Sequence, residues 1–221
     1  ETRNQIKKMF KAPGLGDVQF LSYIADMVSE FVQYGKRTNL CDAIKADDFK
    51  GAFQKFLEFM DKNDQLDGSS DELSYVQDQK VDTTKGARQW YWQICTQLGY
   101  FQTAYKPSPE RSTLIDIEFY RQQCADVFEQ PVWLDQDMTN TMLEGAHNQG
   151  TKIVFNNGVE DPFQWASLHK PNNDQQVTTV IDCEDCAHCV DLDYPKSTDS
   201  PALKAARRQT LRLMAKWLDL Q

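Results

Sequence analysis

Asp161 and His188 are the residues of this sequence best placed to do chemistry together. Asp161 lies in Asn157-Gly158-Val159-Glu160-Asp161-Pro162, just past a short apolar run, and His188 lies in Asp185-Cys186-Ala187-His188-Cys189, just past a second one. A carboxylate that accepts a hydrogen bond from one imidazole nitrogen fixes the tautomer. The other nitrogen is then free to take a proton from a nucleophile. The same stretch offers a second chemistry, because Cys183, Cys186, His188 and Cys189 could supply three thiolates and an imidazole to a tetrahedral zinc ion. Structural zinc sites draw two ligand pairs from separate turns, whereas these four residues crowd one loop. A local disulfide among Cys183, Cys186 and Cys189 is the better reading, and no metal is expected. Haem attachment requires His directly after the second Cys, and Ala187 stands there. His147, before Asn148-Gln149-Gly150, reads as a helix C-terminal histidine favoured by the dipole, and His169 as a solvated loop residue.

The elements that would hold the pair can be read from pattern. Lys152-Ile153-Val154-Phe155, bounded by Gly150 and by Asn156-Asn157-Gly158, has the signature of a buried strand, and Val177-Thr178-Thr179-Val180-Ile181 is a second, β-branched one. Functional groups gather at the carboxyl ends of strands in open α/β sheets. An Asp after one strand and a His after the next is the tail of the Ser, Asp, His order of α/β-hydrolases, although an Asp in a Gly-containing loop is more often a turn former.

Elsewhere the period is helical. Phe20, Leu21, Ile24, Met27, Val28, Phe31 and Val32 predict a helix ended by Gly35, and Phe49 to Met60 predict another behind Asp47 or Asp48. Residues 87–98, stopping at Gly99, and 114–128 read as two more. Ser200-Pro201 opens a final helix with Leu203, Ala206, Leu213, Met214 and Trp217 inward, and its basic residues read as a solvated face. Residues 62–85, with Gly68-Ser69-Ser70, read as a polar loop. Residues 1–130 are thus expected to be mostly helical and 131–221 to be α/β in style.

Composition narrows the partners. With 40% apolar and 11% aromatic residues among 221, the chain can bury a core. A net charge of −9 and a pI near 4.8 argue against a nucleic-acid backbone as partner and against a membrane surface. No apolar run of the ~18 residues needed to span a bilayer occurs. Six cysteines point to an oxidising, secretory-pathway history. The opening Glu1-Thr2-Arg3 is expected to belong to a processed or truncated piece.

Four segments together resemble one family. Phe31-Val32-Gln33-Tyr34 with Leu40-Cys41, Arg88-Gln89-Trp90-Tyr91-Trp92-Gln93-Ile94-Cys95, Val154-Phe155-Asn156-Asn157-Gly158-Val159-Glu160-Asp161-Pro162-Phe163 and Ala187-His188-Cys189-Val190-Asp191-Leu192 occur in the order found in the prolyl-carboxypeptidase and dipeptidyl-peptidase II family of serine exopeptidases, which includes a thymus-specific serine protease. The resemblance implies the C-terminal portion of an α/β-hydrolase fold, with a mostly helical cap in 1–130 and the returning α/β portion in 131–221. It makes Asp161 and His188 two members of a catalytic triad, and Trp90, Phe163 and Trp165 candidate substrate contacts, although aromatics at the spacing of Trp90 and Trp92 are more often cap core. It also implies a bridge between Cys95 and Cys124, and a pairing of Cys41 with a residue upstream.

The implied partners are a peptide substrate cleaved beside proline or a small residue near one terminus, the N-terminal half of the same polypeptide, and a second copy of the chain. No cofactor is implied, and the compartment would be lysosomal or secreted. One departure matters most: the Gly-x-Ser-x-Gly of the nucleophile is absent, so the serine is expected upstream and these 221 residues alone are expected to be inert. A second departure is Phe163, which stands where the family usually has Trp. The alternatives are a catalytically dead relative that binds peptides or partners, and a small metal-binding module on Cys183, Cys186 and Cys189.

Overall fold

Three helices of this protein start at short polar side chains that satisfy first-turn amides. Asp48, rather than Asp47, accepts a hydrogen bond from Gly51 N at 2.6 Å, Asp116 from Phe119 N at 2.9 Å and Ser200 from Leu203 N at 3.1 Å. The computed structural model describes residues 2–66, 76–105 and 110–219. The Gly68-Ser69-Ser70 turn lies outside them. The chain divides into two compact units, one of Glu1–Met27 with Ala46–Leu143, the other of Val28–Lys45 with Glu144–Gln221. This division differs from the 130/131 boundary read from composition, because Val28–Lys45 groups with the strands that follow it late in the chain.

The first unit is helical. It contains α1 (Thr2–Met9), the first part of α2 (Asp17–Gln33), α4 (Phe49–Lys62), α5 (Ala87–Gln93), α6 (Ile117–Phe128) and α7 (Gln136–Leu143). The short α1 escapes sequence reading because its core contribution is a lysine. Lys7 is buried, with Nζ donating to Leu15 O at 2.7 Å and paired with Asp17 at 2.7 Å. Phe10, next to it, packs edge-on against Phe20 at 5.5 Å and tilted against Phe53 at 5.9 Å.

The predicted 87–98 helix is two pieces. After α5 the chain widens into a π turn, Ile94–Leu98, and stops at Gly99, whose φ of +71° suits glycine. The widened turn holds Cys95 against Cys124 of α6 in a disulfide, with Cα atoms 5.9 Å apart and both residues fully buried. Closing a loop of 29 residues stabilises by about 3–4 kcal/mol in the chain-entropy picture. Around it gather Val76, Tyr91 and Val127. α6 starts three residues later than its apolar pattern, since Leu114 stays exposed ahead of the Asp116 cap.

The second unit is built on two strands, β1 (Ile153–Gly158) and β2 (Gln176–Ile181), paired in parallel with Ile153 beside Gln176 and Gly158 beside Ile181. Its helices are α3 (Arg37–Ala43) and α8 (Pro201–Trp217), together with the last turns of α2. Leu203 and Ala206 of α8 join Ile181 and Cys186 in the core. The inward expectation fails for Met214, which is 47% exposed, because apolar packing covers the first turns of the helix and not the last. No described helix is long and apolar enough to cross a membrane.

Candidate active site

The catalytic chemistry anticipated from the sequence depends on where two strands end. β1 stops at Gly158, and its chain turns at once: Asp161 N donates to Gly158 O at 3.0 Å and opens a one-turn 3-10 segment, Pro162–Ala166. Asp161 caps that segment, one carboxylate oxygen accepting from Phe163 N at 2.8 Å. Its other oxygen, Oδ2, lies 3.0 Å from His188 Nδ1. The carboxylate is buried while the imidazole is about a third exposed. With a carboxylate as partner, Nδ1 carries the proton and donates it, so Nε2 presents its lone pair. Among the described residues no hydrogen-bond partner engages Nε2.

Backbone contacts fix where the imidazole stands. His188 N donates to Gln33 O at 2.9 Å, and Glu160 N to Cys186 O at 2.9 Å. Gly158 permits this approach, since a Cβ there would fall 2.5 Å from Ala187 O and 2.6 Å from Cys186 O. Gly35 does the same on the other side. At φ +66° its missing Cβ would meet Asp185 O at 2.6 Å.

Charged groups reinforce the frame. Arg37 donates from Nε and Nη2 to the two oxygens of Glu160, at 2.7 and 2.9 Å. The Arg37 hydrogen bonds hold the Glu160 carboxyl below its ordinary range and push the guanidinium further up. Beyond His188, Arg207 donates to Val190 O at 2.8 Å, Asp191 O at 3.0 Å and Asp193 O at 2.7 Å, and pairs with Asp199, pinning the segment that leaves the site.

The structure treats the other anticipated residues unevenly. Phe163 is at the site, its ring 4.8 Å from that of His188. Trp165, in the same 3-10 segment, is 81% exposed and stacks on His169 at 5.4 Å, away from the imidazole. Trp90 is on α5 of the first unit and more than half exposed, while Trp92 packs edge-on against Phe128 at 4.9 Å. His147 ends a 3-10 turn, Gly145–His147, not an α-helix.

Cys183 bonds to Cys186, with Cα atoms 5.2 Å apart. The local disulfide expected among the three cysteines thus closes on the first two, and Cys189, the remaining candidate, is a free, exposed thiol, as is Cys41. Burial, then the charges of Asp161, Asp191 and Asp193, push the Cys189 thiol up. With two of the three thiols in a disulfide, the zinc donor set no longer exists, and the described residues hold no other His, Cys, Asp and Glu cluster suited to a metal. Sequence reasoning did not single out Arg37, Thr38, Tyr34 or Glu160 as part of the site. Tyr34, exposed and edge-on at 6.5 Å from His188, belongs to the quoted Phe31–Tyr34 segment, but nothing in its pattern marks it as facing an imidazole.

An acid–histidine pair at the carboxyl ends of parallel strands is common to several hydrolase families, and relatives decide among them. The chain is 30% identical over 195 residues, 85% of its length, to a probable serine protease, EDA2, of Arabidopsis thaliana. It is 27% identical over 156 residues, 66% of its length, to a putative serine protease, K12H4.7, of Caenorhabditis elegans, and 28% over 138 residues, 61% of its length, to the human thymus-specific serine protease. The chain spans 40%, 30% and 26% of the lengths of these relatives. Residues 15–210 match the family described as Serine carboxypeptidase S28, which is of the α/β-hydrolase type. The match runs through both units and includes the Asp161 turn and the His188 loop, so this chain belongs to the S28 family of serine peptidases.

Proposed function

We propose that these residues supply the acid and the base of a serine exopeptidase that cleaves peptides beside proline or a small residue near a chain terminus. The observation that carries the reading is the 3.0 Å contact between His188 Nδ1 and Asp161 Oδ2, with no partner for Nε2 among the described residues. In this mechanism Nε2 takes the proton of a serine hydroxyl as its oxygen attacks the scissile carbonyl. The imidazolium then returns that proton to the leaving amine as the acyl-enzyme forms, and a water repeats the cycle to release the acid. Asp161 holds the tautomer and stabilises the imidazolium without becoming protonated. Phe163, against the imidazole, provides an apolar wall beside which a proline ring could pack.

The serine belongs in this reading to a part of the polypeptide outside the 221 residues, which contain no Gly-x-Ser-x-Gly. The isolated chain is accordingly inactive. The two disulfides favour a secreted or lysosomal setting. In the intact protein, His188→Ala is expected to abolish turnover of proline-containing peptides. Undiminished turnover would refute the assignment. Mass analysis of the products, a single C-terminal residue or an N-terminal dipeptide, fixes the specificity.

A further inference from the structure

The Arg37–Glu160 pair lies off the reacting groups yet joins the three segments that carry them. Glu160 immediately precedes Asp161. Its Oε1 accepts from Arg37 Nη2 at 2.9 Å and also from Asp185 N at 3.2 Å, three residues before His188. The Asp185 carboxylate accepts in turn from Thr38 N at 3.1 Å, and the Thr38 hydroxyl lies 3.1 Å from Glu184 and 3.2 Å from Asp185. Residues 33–38, the turn after β1 and the loop before His188 are therefore closed into one ring of polar contacts. Its remaining links are the backbone bonds Glu160 N to Cys186 O and His188 N to Gln33 O.

An ordinary exposed ion pair contributes little, about 0–1 kcal/mol. This one is two-pronged, its Glu160 side chain is only 18% exposed, and one oxygen is shared with a backbone amide, which gives it directional force. We propose that Arg37 and Glu160 are positioning residues, whose paired side chains set the reach between Asp161 and the imidazole of His188. The kinetic consequence rests on the hydrolase reading above; the structural one does not.

The intact protein tests this with Arg37→Gln, Arg37→Lys and Glu160→Gln, read in two ways. The first is the downfield proton resonance of His188 Nδ1–H bonded to a carboxylate; the second is kcat and KM separately. Arg37→Gln is expected to broaden or shift that resonance and to lower kcat about tenfold at nearly constant KM, and Arg37→Lys to recover part of both. Glu160→Gln keeps an acceptor for Asp185 N–H but loses the charge, and is expected to behave as Arg37→Gln does. A folded Arg37→Gln protein with the wild-type resonance and kcat overturns the proposal, even if it melts earlier. So does failure of both Gln variants to fold, because the pair would then serve the fold rather than the site. Should the wild-type protein show no peptide turnover, the hydrolase reading falls while the resonance still decides the positioning role.

Discussion

The two units solve the problem of holding a shape with different forces. The first relies mainly on apolar and covalent contacts, with Lys7 and Ser22 its buried polar exceptions: Phe101 stacks on Trp133 at 4.8 Å and on Tyr120 at 4.9 Å, and Cys95 and Cys124 are bonded at zero exposure. In the second, Asn157, Asp161, Gln164 and Gln176 are buried polar residues with hydrogen-bond partners, and backbone segments meet where glycine leaves room. Dispersion and area burial are non-directional, so the first kind of packing fixes volume well and angles poorly. Hydrogen bonds have preferred directions, and a buried one is costly to leave unmade. A site that needs one nitrogen within bonding distance of one oxygen is found in the unit with more buried polar groups at its core.

Substitutions can break or sharpen this contrast. The largest effect is expected for Asp161→Asn in the intact protein, on the order of 10⁴ in kcat because the imidazole loses its tautomer. Steady-state kinetics beside a melting curve would show a site lost while its unit still folds, and a loss below tenfold would contradict the role given to Asp161. Next is the covalent tie of the first unit. Cys95→Ser with Cys124→Ser should cost about 3–4 kcal/mol in denaturant unfolding while leaving the His188 proton resonance in place.

Gly158→Ala is expected to cost about 1–3 kcal/mol and to lower kcat more than stability. The added methyl presses on the carbonyls of residues 186 and 187, and a stability loss without a change in kcat would separate the glycine from the site. The smallest effects sharpen the comparison from the other side. Asp48→Ala in the first unit and Ser200→Ala in the second remove equivalent caps, so thermal unfolding should report about 1 kcal/mol for each.

The legible and illegible parts divide along the same physical line. Both strands were readable because β-branched runs between turn residues are local signals, although each extends past its apolar core, to Gly158 and back to Gln176. The places of Asp161 and His188 after those strands only suggested a pair, and the resemblance of their segments to one family singled them out; the structure brings them within 3.0 Å. Arg37 was not, since its partner lies 123 positions away and no spacing links a lone arginine to a distant glutamate. Helices α1, α3 and α7 went unread because they are short and bury little that is apolar: among their residues only Lys7 and Leu40 are buried. The π turn at Ile94–Leu98, which carries the bonded Cys95, keeps the composition of a helix, so its sequence does not show that it widens. Which two of Cys183, Cys186 and Cys189 would close stayed open, because three evenly spaced cysteines do not reveal their pairing.

The distance in sequence between Arg37 and Glu160 also has a meaning in time. At typical synthesis rates of about 5–20 residues per second, the guanidinium leaves the ribosome roughly 6–25 s before the carboxylate that will hold it. Through that interval the helices between the two are made without this tie, so the ring that joins residues 33–38 to the turn after β1 can close only once they have been synthesised.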